Sequence, residues 1–258
     1  MNYVQSIILG VIEGITEFFP ISSTGHMILI ASMMKILNNK ITNLYIVSVQ
    51  FGSILSIIFL YRKKLFFQKK SFYAKILIAN FPVGIVGFIL YNKINSFLKN
   101  PILVSLSLFL GGLIILKSED FYKKNILKKR NDITYYRAFI IGLFQCISLI
   151  PGVSRSGTTI VSGLLQNIDR KKSIEFSFFL SIPIIMIAFL KKMFDFCIES
   201  DILCNENIIY ILIGNIFSFI TSMISIKYFI KYLKNNDFKL FGYYRIIIGF
   251  LFIFFKLI

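Results

Sequence analysis

Five stretches of this chain, Leu44–Tyr61, Ile102–Leu116, Phe176–Leu190, Ile208–Ile226 and Ile246–Ile258, carry few or no charged residues. Nothing else in the sequence constrains the fold as much. Most approach the roughly 20 residues with which an α-helix crosses a hydrocarbon core about 30 Å thick. In lipid, backbone polar groups must be satisfied within a helix or a closed barrel, and the alternation expected of barrel strands is absent. With 56% of its 258 residues hydrophobic, the chain reads as an all-α polytopic membrane protein. The leader has no basic n-region and is interrupted by Glu13 and Glu17, so the first segment is expected to stay rather than be cleaved.

A formal charge of +17 raises nucleic-acid binding, but the placement of the charge argues against it. Lys and Arg crowd into Arg62–Lys75, Lys117–Arg137, Arg170–Lys172 and Lys227–Lys239. The intervening loops, around Lys35–Lys40, Lys93–Lys99 and Lys191–Asn207, are sparse in them, and the last holds Asp195, Glu199, Asp201 and Glu206. This is positive-inside asymmetry. It puts 62–75, 118–134, 169–173 and 231–240 in the cytoplasm, and 35–40, 92–100 and 194–207 outside. No nucleic-acid partner is expected; the bilayer is. Cys146, Cys197 and Cys204 set neither a disulfide framework nor zinc spacing, and a Cys197–Cys204 bridge in the acidic loop stays open.

The chain divides into two similar halves. Val4–Phe19 and Thr24–Leu37 are each too short to span and are separated by Pro20 and the serines after it, which predicts a re-entrant hairpin over 4–37. Spans follow near Ile41–Tyr61, Phe72–Asn92 and Pro101–Lys117, closing a first repeat, 1–117. A basic linker, 118–134, leads to a second repeat, 135–258. There Tyr135–Ile150 and Ser154–Ile168 form another broken pair, a hairpin over 135–168, followed by spans near Ser173–Met193, Asn207–Lys231 and Leu240–Lys256. Gly10-x-x-Glu13 is echoed by Gly142-x-x-Gln145, and the spacing from Gly10 to Gly25 equals that from Gly142 to Gly157. A hairpin plus three spans is an odd number of crossings, so the second half is expected upside down. The reading is six transmembrane helices plus two re-entrant hairpins in an inverted-topology repeat, the hairpins meeting tip to tip at a midplane site.

Those tips carry the chemistry. The first is Glu13-Gly-Ile-Thr-Glu17-Phe-Phe-Pro20-Ile-Ser22-Ser23-Thr24-Gly-His26, and the second is Pro151-Gly-Val-Ser154-Arg155-Ser156-Gly157-Thr158-Thr159. Ionisable groups at membrane depth are expensive and point to function. Glu13 and Glu17 fall one turn apart on one helix face, where they repel unless they share a cation. An oxygen-binding divalent ion such as Mg²⁺ fits and commonly bridges to phosphates; the competing reading is a structural acid pair in a polar funnel. Among Ser22, Ser23 and Thr24, one hydroxyl is accounted for as a helix N-cap, while the helix start also offers amides to an anion. His26, the only histidine, lies within a turn of Ser23 and could serve as its general base, or be a hydrogen-bonded packing residue. Arg155, flanked by Ser154, Ser156, Gly157 and Thr158, has bidentate phosphate geometry. A salt bridge from Arg155 to Glu13 or Glu17 is the structural alternative.

These blocks closely resemble the bacterial undecaprenyl-diphosphate phosphatases, the bacitracin-resistance family, whose E-G-x-T-E-F-x-P-x-S-S-T-G-H and P-G-x-S-R-S-G-x-T signatures stand intact here. Gln50-Phe-Gly-Ser-Ile-Leu55, Phe144-Gln-Cys146 and Glu175-Phe-Ser-Phe178 are also similar to the family. The resemblance implies a multi-pass enzyme of the bacterial cytoplasmic (inner) membrane with its site open to the periplasmic face. It would cleave a polyprenyl diphosphate lipid to the monophosphate and inorganic phosphate, recycling the carrier for peptidoglycan synthesis and conferring bacitracin resistance. It also implies a divalent cation, Mg²⁺ or Ca²⁺, and leaves a homodimer open. By position, Glu17, Ser23, His26 and Arg155 become catalytic; Ser22, Thr24, Ser154, Ser156, Gly157 and Thr158 bind phosphate; Glu13 and Glu17 hold the metal. Whether Ser23, His26 or water attacks is not settled by spacing. The alternative function is an inverted-repeat transporter or lipid flippase for an anionic phosphorylated substrate, which would need Arg155 but not the acids beside a Ser–His pair.

Overall fold

The computed structural model describes residues 1–98, 100–125, 132–199 and 205–254. Among them are twelve α-helices: α1 (Tyr3–Thr16), α2 (Ser23–Met33), α3 (Lys40–Ser48), α4 (Gln50–Phe66), α5 (Lys70–Ile89), α6 (Tyr91–Phe97), α7 (Pro101–Lys124), α8 (Tyr135–Ile147), α9 (Arg155–Leu165), α10 (Arg170–Glu199), α11 (Asn205–Tyr232) and α12 (Lys239–Phe254). Local chemistry sets several starts. Asn2 and Gln5 form a reciprocal capping box on α1. Asn100 caps α7 with Pro101 in its first turn, and Thr134 caps α8.

Among the described residues, five spans are long and apolar enough to cross a bilayer: Lys40–Phe66, Lys70–Ile89, Pro101–Lys124, Arg170–Phe196 and Asn207–Tyr232. The protein is a multi-pass, all-α membrane protein. The first span is α3 and α4 joined at Val49. The expected sixth, α12, has 16 residues within the described chain. The boundaries differ from the sequence reading in two places. The helix expected over Phe72–Asn92 stops at Ile89, and a separate short α6 follows. α7 runs on to Lys124, into the stretch that charge assigned to a linker. It does so because Glu119 is buried there, accepting from Arg170 Nη2 at 2.6 Å and from the Phe238 amide at 3.0 Å. The middle of the linker, 126–131, and the Cys197–Cys204 question lie outside the described residues.

Helices in equivalent places of the two halves pack against each other. α7 and α12 lie antiparallel: an added Cβ on Gly249 would meet Ser105 and Phe109, one on Gly112 would meet Gly242 and Ile246, and Lys123 pairs with Asp237 at 2.5 Å. α4 and α10 are antiparallel too. Phe51 stacks on Phe189, Tyr61 packs on Phe178 and Phe179, and Lys64 pairs with Glu175. The short arms cross over instead, α1 packing on α11 and α8 on α5. Glycine permits these contacts, because a Cβ on Gly10 would sit 2.6 Å from the Gly214 carbonyl and one on Gly142 would sit 2.3 Å from that of Ala79. Close small-residue packing is how helices associate in lipid, where tails compete with apolar side chains. Leu77, Phe81, Phe88, Ile216 and Ile247 point outward as the lipid-facing surface.

Candidate active site

Two loops converge between these helices, and their backbones match. Ser22 (φ 72°) ends the first and Ser154 (φ 74°) the second. Left-handed conformations are unfavourable for residues with a Cβ and cost on the order of 1–3 kcal/mol. In both loops the strain aims the serine hydroxyl back into the next helix. Ser22 Oγ accepts from the Gly25 amide (3.3 Å) and Ser154 Oγ from the Gly157 amide (3.0 Å). The exits of α2 and α9 match as well, with Lys35 and Asn167 both at φ 57° and the same offset as the two serines. Two helix N-termini, with first-turn amides that have no intrahelical acceptor, thereby open onto one space.

Arg245 of α12 holds the loops together. Its side chain is buried and donates to five main-chain carbonyls: Nη1 to Pro20 (3.1 Å) and Val153 (3.0 Å), Nη2 to Gly152 (2.9 Å) and Ser107 (3.1 Å), and Nε to Leu108 (3.3 Å). One guanidinium thus joins both loops to α7. Gly152, at φ 91°, could carry no side chain there, since a Cβ would lie 2.5 Å from the Val104 carbonyl.

Above this clamp the two hairpins exchange charge. Glu17 Oε1 accepts from Arg155 Nη2 at 2.6 Å, and Glu17 Oε2 accepts from Ser23 Oγ at 2.5 Å. Arg155 Nη1 also donates to the Ser177 carbonyl at 2.9 Å. The side chains of the ion pair are 14% and 7% exposed, so removing one partner would strand a charge in a low-dielectric site, a loss of about 3–5 kcal/mol. A guanidinium has five N–H donors, and these two bonds leave three for a ligand.

Glu13 sits one turn behind. It is fully buried, and neither carboxylate oxygen reaches a hydrogen-bond partner, although Glu17, Ser23 and Arg155 are near enough to act on it electrostatically. No group of three or more His, Cys, Asp and Glu side chains with metal-binding geometry occurs among the described residues. The acid pair is therefore the cation-binding chemistry on offer. An orphaned buried carboxylate beside a second one fits a hard divalent ion that takes one or two carboxylates and fills its remaining positions with water and phosphate oxygens.

The histidine bonds partners other than Ser23. His26 Nδ1 bonds the Ser22 carbonyl (2.7 Å), and Nε2 bonds the Tyr244 hydroxyl (2.8 Å), with the two rings stacked. Both ring nitrogens are engaged, and neither meets Ser23. Thr24 accepts from Gln50 Nε2 at 3.0 Å. Ser156 donates to the Phe19 carbonyl at 2.9 Å, and Thr158 turns its hydroxyl to its own helix at the Arg155 carbonyl.

The resulting cavity, of about 200 Å³, includes Glu17, Ser22, Ser23, Thr24, Arg155 and Ser156 in its lining. Of the residues picked from sequence, Glu17, Ser23 and Arg155 form one bonded unit, Ser22, Thr24, Ser154 and Ser156 line the cavity around it, and Glu13 lies behind. His26 and Thr158 face elsewhere. Sequence reasoning gave no site role to Arg245, Tyr244 or Gln50, the last named only within a family-like stretch. Arg245 left a readable trace, since it is the only charged residue between Leu240 and Phe255, and an isolated membrane-depth cation calls for a partner. The carbonyl partners it found have no sequence signature.

Known proteins resemble this chain along nearly its whole length. Residues 6–251 match the family model described as bacitracin resistance protein BacA. The chain is 47% identical to an undecaprenyl-diphosphatase of Flavobacterium psychrophilum, covering 96% of this chain and 94% of the relative. It is 43% identical to one of Persephonella marina over the full length of both. With one of Porphyromonas gingivalis it shares 39% identity, covering 96% of this chain and 95% of the relative.

Proposed function

The chain belongs to the bacitracin resistance protein BacA family, and from that premise we propose that it hydrolyses undecaprenyl diphosphate in the cavity between the hairpin tips. The products are undecaprenyl phosphate and inorganic phosphate. The reaction returns carrier lipid to peptidoglycan synthesis and underlies bacitracin resistance. One observation carries the assignment of roles: Glu17 binds Ser23 and Arg155 at the same time, one through each oxygen. An acceptor, a hydroxyl nucleophile and a phosphate-binding cation are thus joined across the two repeats. A carrier would use the cation, but it has no need of a hydroxyl held on a carboxylate.

Phosphoryl transfer depends mainly on positioning and charge stabilisation. Ser23 Oγ attacks the terminal phosphorus while its proton passes to Glu17, and the bond to the bridging oxygen breaks to release undecaprenyl phosphate. Glu17 gives that proton to the departing undecaprenyl phosphate. Water then cleaves the Ser23–phosphate ester, with Glu17 taking the water's proton and returning it to Ser23 Oγ as inorganic phosphate leaves. The three spare N–H groups of Arg155 and the first-turn amides of α2 and α9 meet the equatorial oxygens where charge develops. Glu13 and Glu17 are the residues that would hold a divalent cation, Mg²⁺ or Ca²⁺, which when bound supplies charge neutralisation to the diphosphate. The antiparallel pairing of α7 with α12 and of α4 with α10 supports an inverted repeat, because a two-fold relating antiparallel partners lies across them. Basic residues at the ends of α4, α7 and α11 support a cytoplasmic location for that face, with the site opening to the periplasmic side of the inner membrane.

Purified protein given farnesyl or undecaprenyl diphosphate and Mg²⁺ is expected to release phosphate, and to stop in EDTA. Ser23→Ala should lower turnover on the order of 10⁶-fold, as loss of a serine nucleophile does. No release from folded protein would overturn the phosphatase reading. Release largely preserved in Ser23→Ala would move the attack to water.

A further inference from the structure

Part of the cavity lining is apolar, and its origin breaks the correspondence between the halves. Ile94 and Leu98 come from α6 and its C-cap, and Ile184, Ile185 and Ala188 come from α10. In the second half, the stretch at the offset that relates Ser22 to Ser154 lies inside the unbroken helix α11. The break at Leu90 (φ −96°, ψ 12°) that frees α6 from α5 therefore belongs to the first half alone. Side chains tie α6 to α10: the Tyr91 hydroxyl bonds Asp195, and Lys192 Nζ donates to Asn95 Oδ1 at 3.0 Å. A helix of seven residues is marginal by itself, so these contacts hold it at the cavity edge.

Size decides which part of a substrate fits. A volume of about 200 Å³ is below the roughly 300–1,000 Å³ of pockets that enclose a drug-sized ligand. The cavity holds a diphosphate and what is bonded to it, while the rest of a polyprenyl chain runs out among the helices. The first carbons beyond the bridging oxygen are then the ones that meet the apolar wall.

Resting on the phosphatase reading, we infer that α6 and α10 form an isoprenoid-reading jaw. Leu98 and Ile94 from α6 and its C-cap, with Ile184, Ile185 and Ala188 from α10, seat the first isoprenyl units and make the enzyme select prenyl over water-soluble diphosphates. The wall contributes no charge and no donor to the reacting phosphate. Its contribution is specificity, at about 10–200-fold for each fully used apolar contact.

The test compares kcat/KM for farnesyl diphosphate with kcat/KM for methyl diphosphate, which has the same head and no prenyl chain. Wild-type protein should favour farnesyl diphosphate. Leu98→Asn should reduce that ratio at least about tenfold. Ala188→Phe, which adds bulk at an exposed position and so threatens folding least, should reduce it in the same direction. A wild-type ratio near one, or ratios left within twofold of wild type by both variants, overturns the jaw while leaving the phosphatase reading intact. Failure of wild-type protein to release phosphate from either substrate overturns the phosphatase reading first.

Discussion

The two hairpins share one backbone and divide the chemistry between them. α1–α2 and α8–α9 have matching caps, matching left-handed serines and matching exits. Position by position, however, Glu13 faces Gln145, Glu17 faces Leu149, Ser23 faces Arg155 and His26 faces Thr158. The first hairpin carries the acids and the hydroxyl, and the second carries the cation. Neither is a site alone, because each lacks the charge the other holds. Symmetry supplies two anion-attracting helix starts aimed at one point, and the asymmetric side chains turn that point into a reactive one.

After loss of the nucleophile itself, the largest effect should come from erasing the difference on the cationic side. Arg155→Ala leaves both helix starts in place but strands Glu17 and removes the phosphate donors. Turnover should fall by about 10²–10³-fold or more, the usual loss when a preorganised donor to developing charge is deleted. Arg155→Lys should recover little, since a point charge does not reproduce a planar fork. Steady-state phosphate release checks this. Activity within tenfold of wild type would mean that the first hairpin works alone.

The next comparison exchanges the buried acid for its counterpart. Glu13→Gln gives the first hairpin the residue of the second. Glu13 pays desolvation with no bonded partner, so the variant should be at least as thermally stable as wild type when EDTA is present. Its stabilisation by Mg²⁺ should largely disappear, with cation affinity reduced beyond the roughly 10–100-fold lost when only an outer-shell partner is removed. The reverse change, Gln145→Glu, places a carboxylate where the buried amide now bonds Asn80 at 3.0 Å, and melting should come earlier. Melting curves with and without Mg²⁺ test both. Undiminished Mg²⁺ stabilisation of Glu13→Gln would take the ion away from this acid.

How much of this could be read in the sequence follows from what each feature depends on. The spans and broken hairpins were legible because the bilayer penalises charge and unpaired backbone residue by residue. Glu17, Ser23 and Arg155 were legible as costly polar groups in apolar surroundings. Boundaries set by tertiary contacts were not. α7 continues to Lys124 because Glu119 meets Arg170 and the Phe238 amide, partners far along the chain. α6 is separate because the backbone breaks at Leu90, where neither Pro nor Gly marks the place. The partners of His26 were hidden for a related reason. Spacing puts it within a turn of Ser23, but its Nε2 bonds Tyr244, a partner on α12 that spacing cannot reveal.

That partner makes the smallest effect the most discriminating. The Ser22 carbonyl can only accept, so His26 Nδ1 carries the proton and Nε2 accepts from Tyr244. The ring therefore pins the strained Ser22 backbone and has no free nitrogen with which to take a proton from Ser23. His26→Thr installs the side chain found in the second hairpin, where Thr158 serves without a ring. If His26 is a positioning residue, turnover should fall about tenfold, with the pH–rate profile keeping its shape. Tyr244→Phe should cost about two- to tenfold, the equivalent of one net hydrogen bond of about 0.5–1.5 kcal/mol. A general base would behave otherwise, with a loss of about 10²–10⁴-fold and a displaced limb of the pH profile. In that case Glu17 would be left to orient Ser23 without accepting its proton, and the first hairpin would contain a complete nucleophile–base pair of its own.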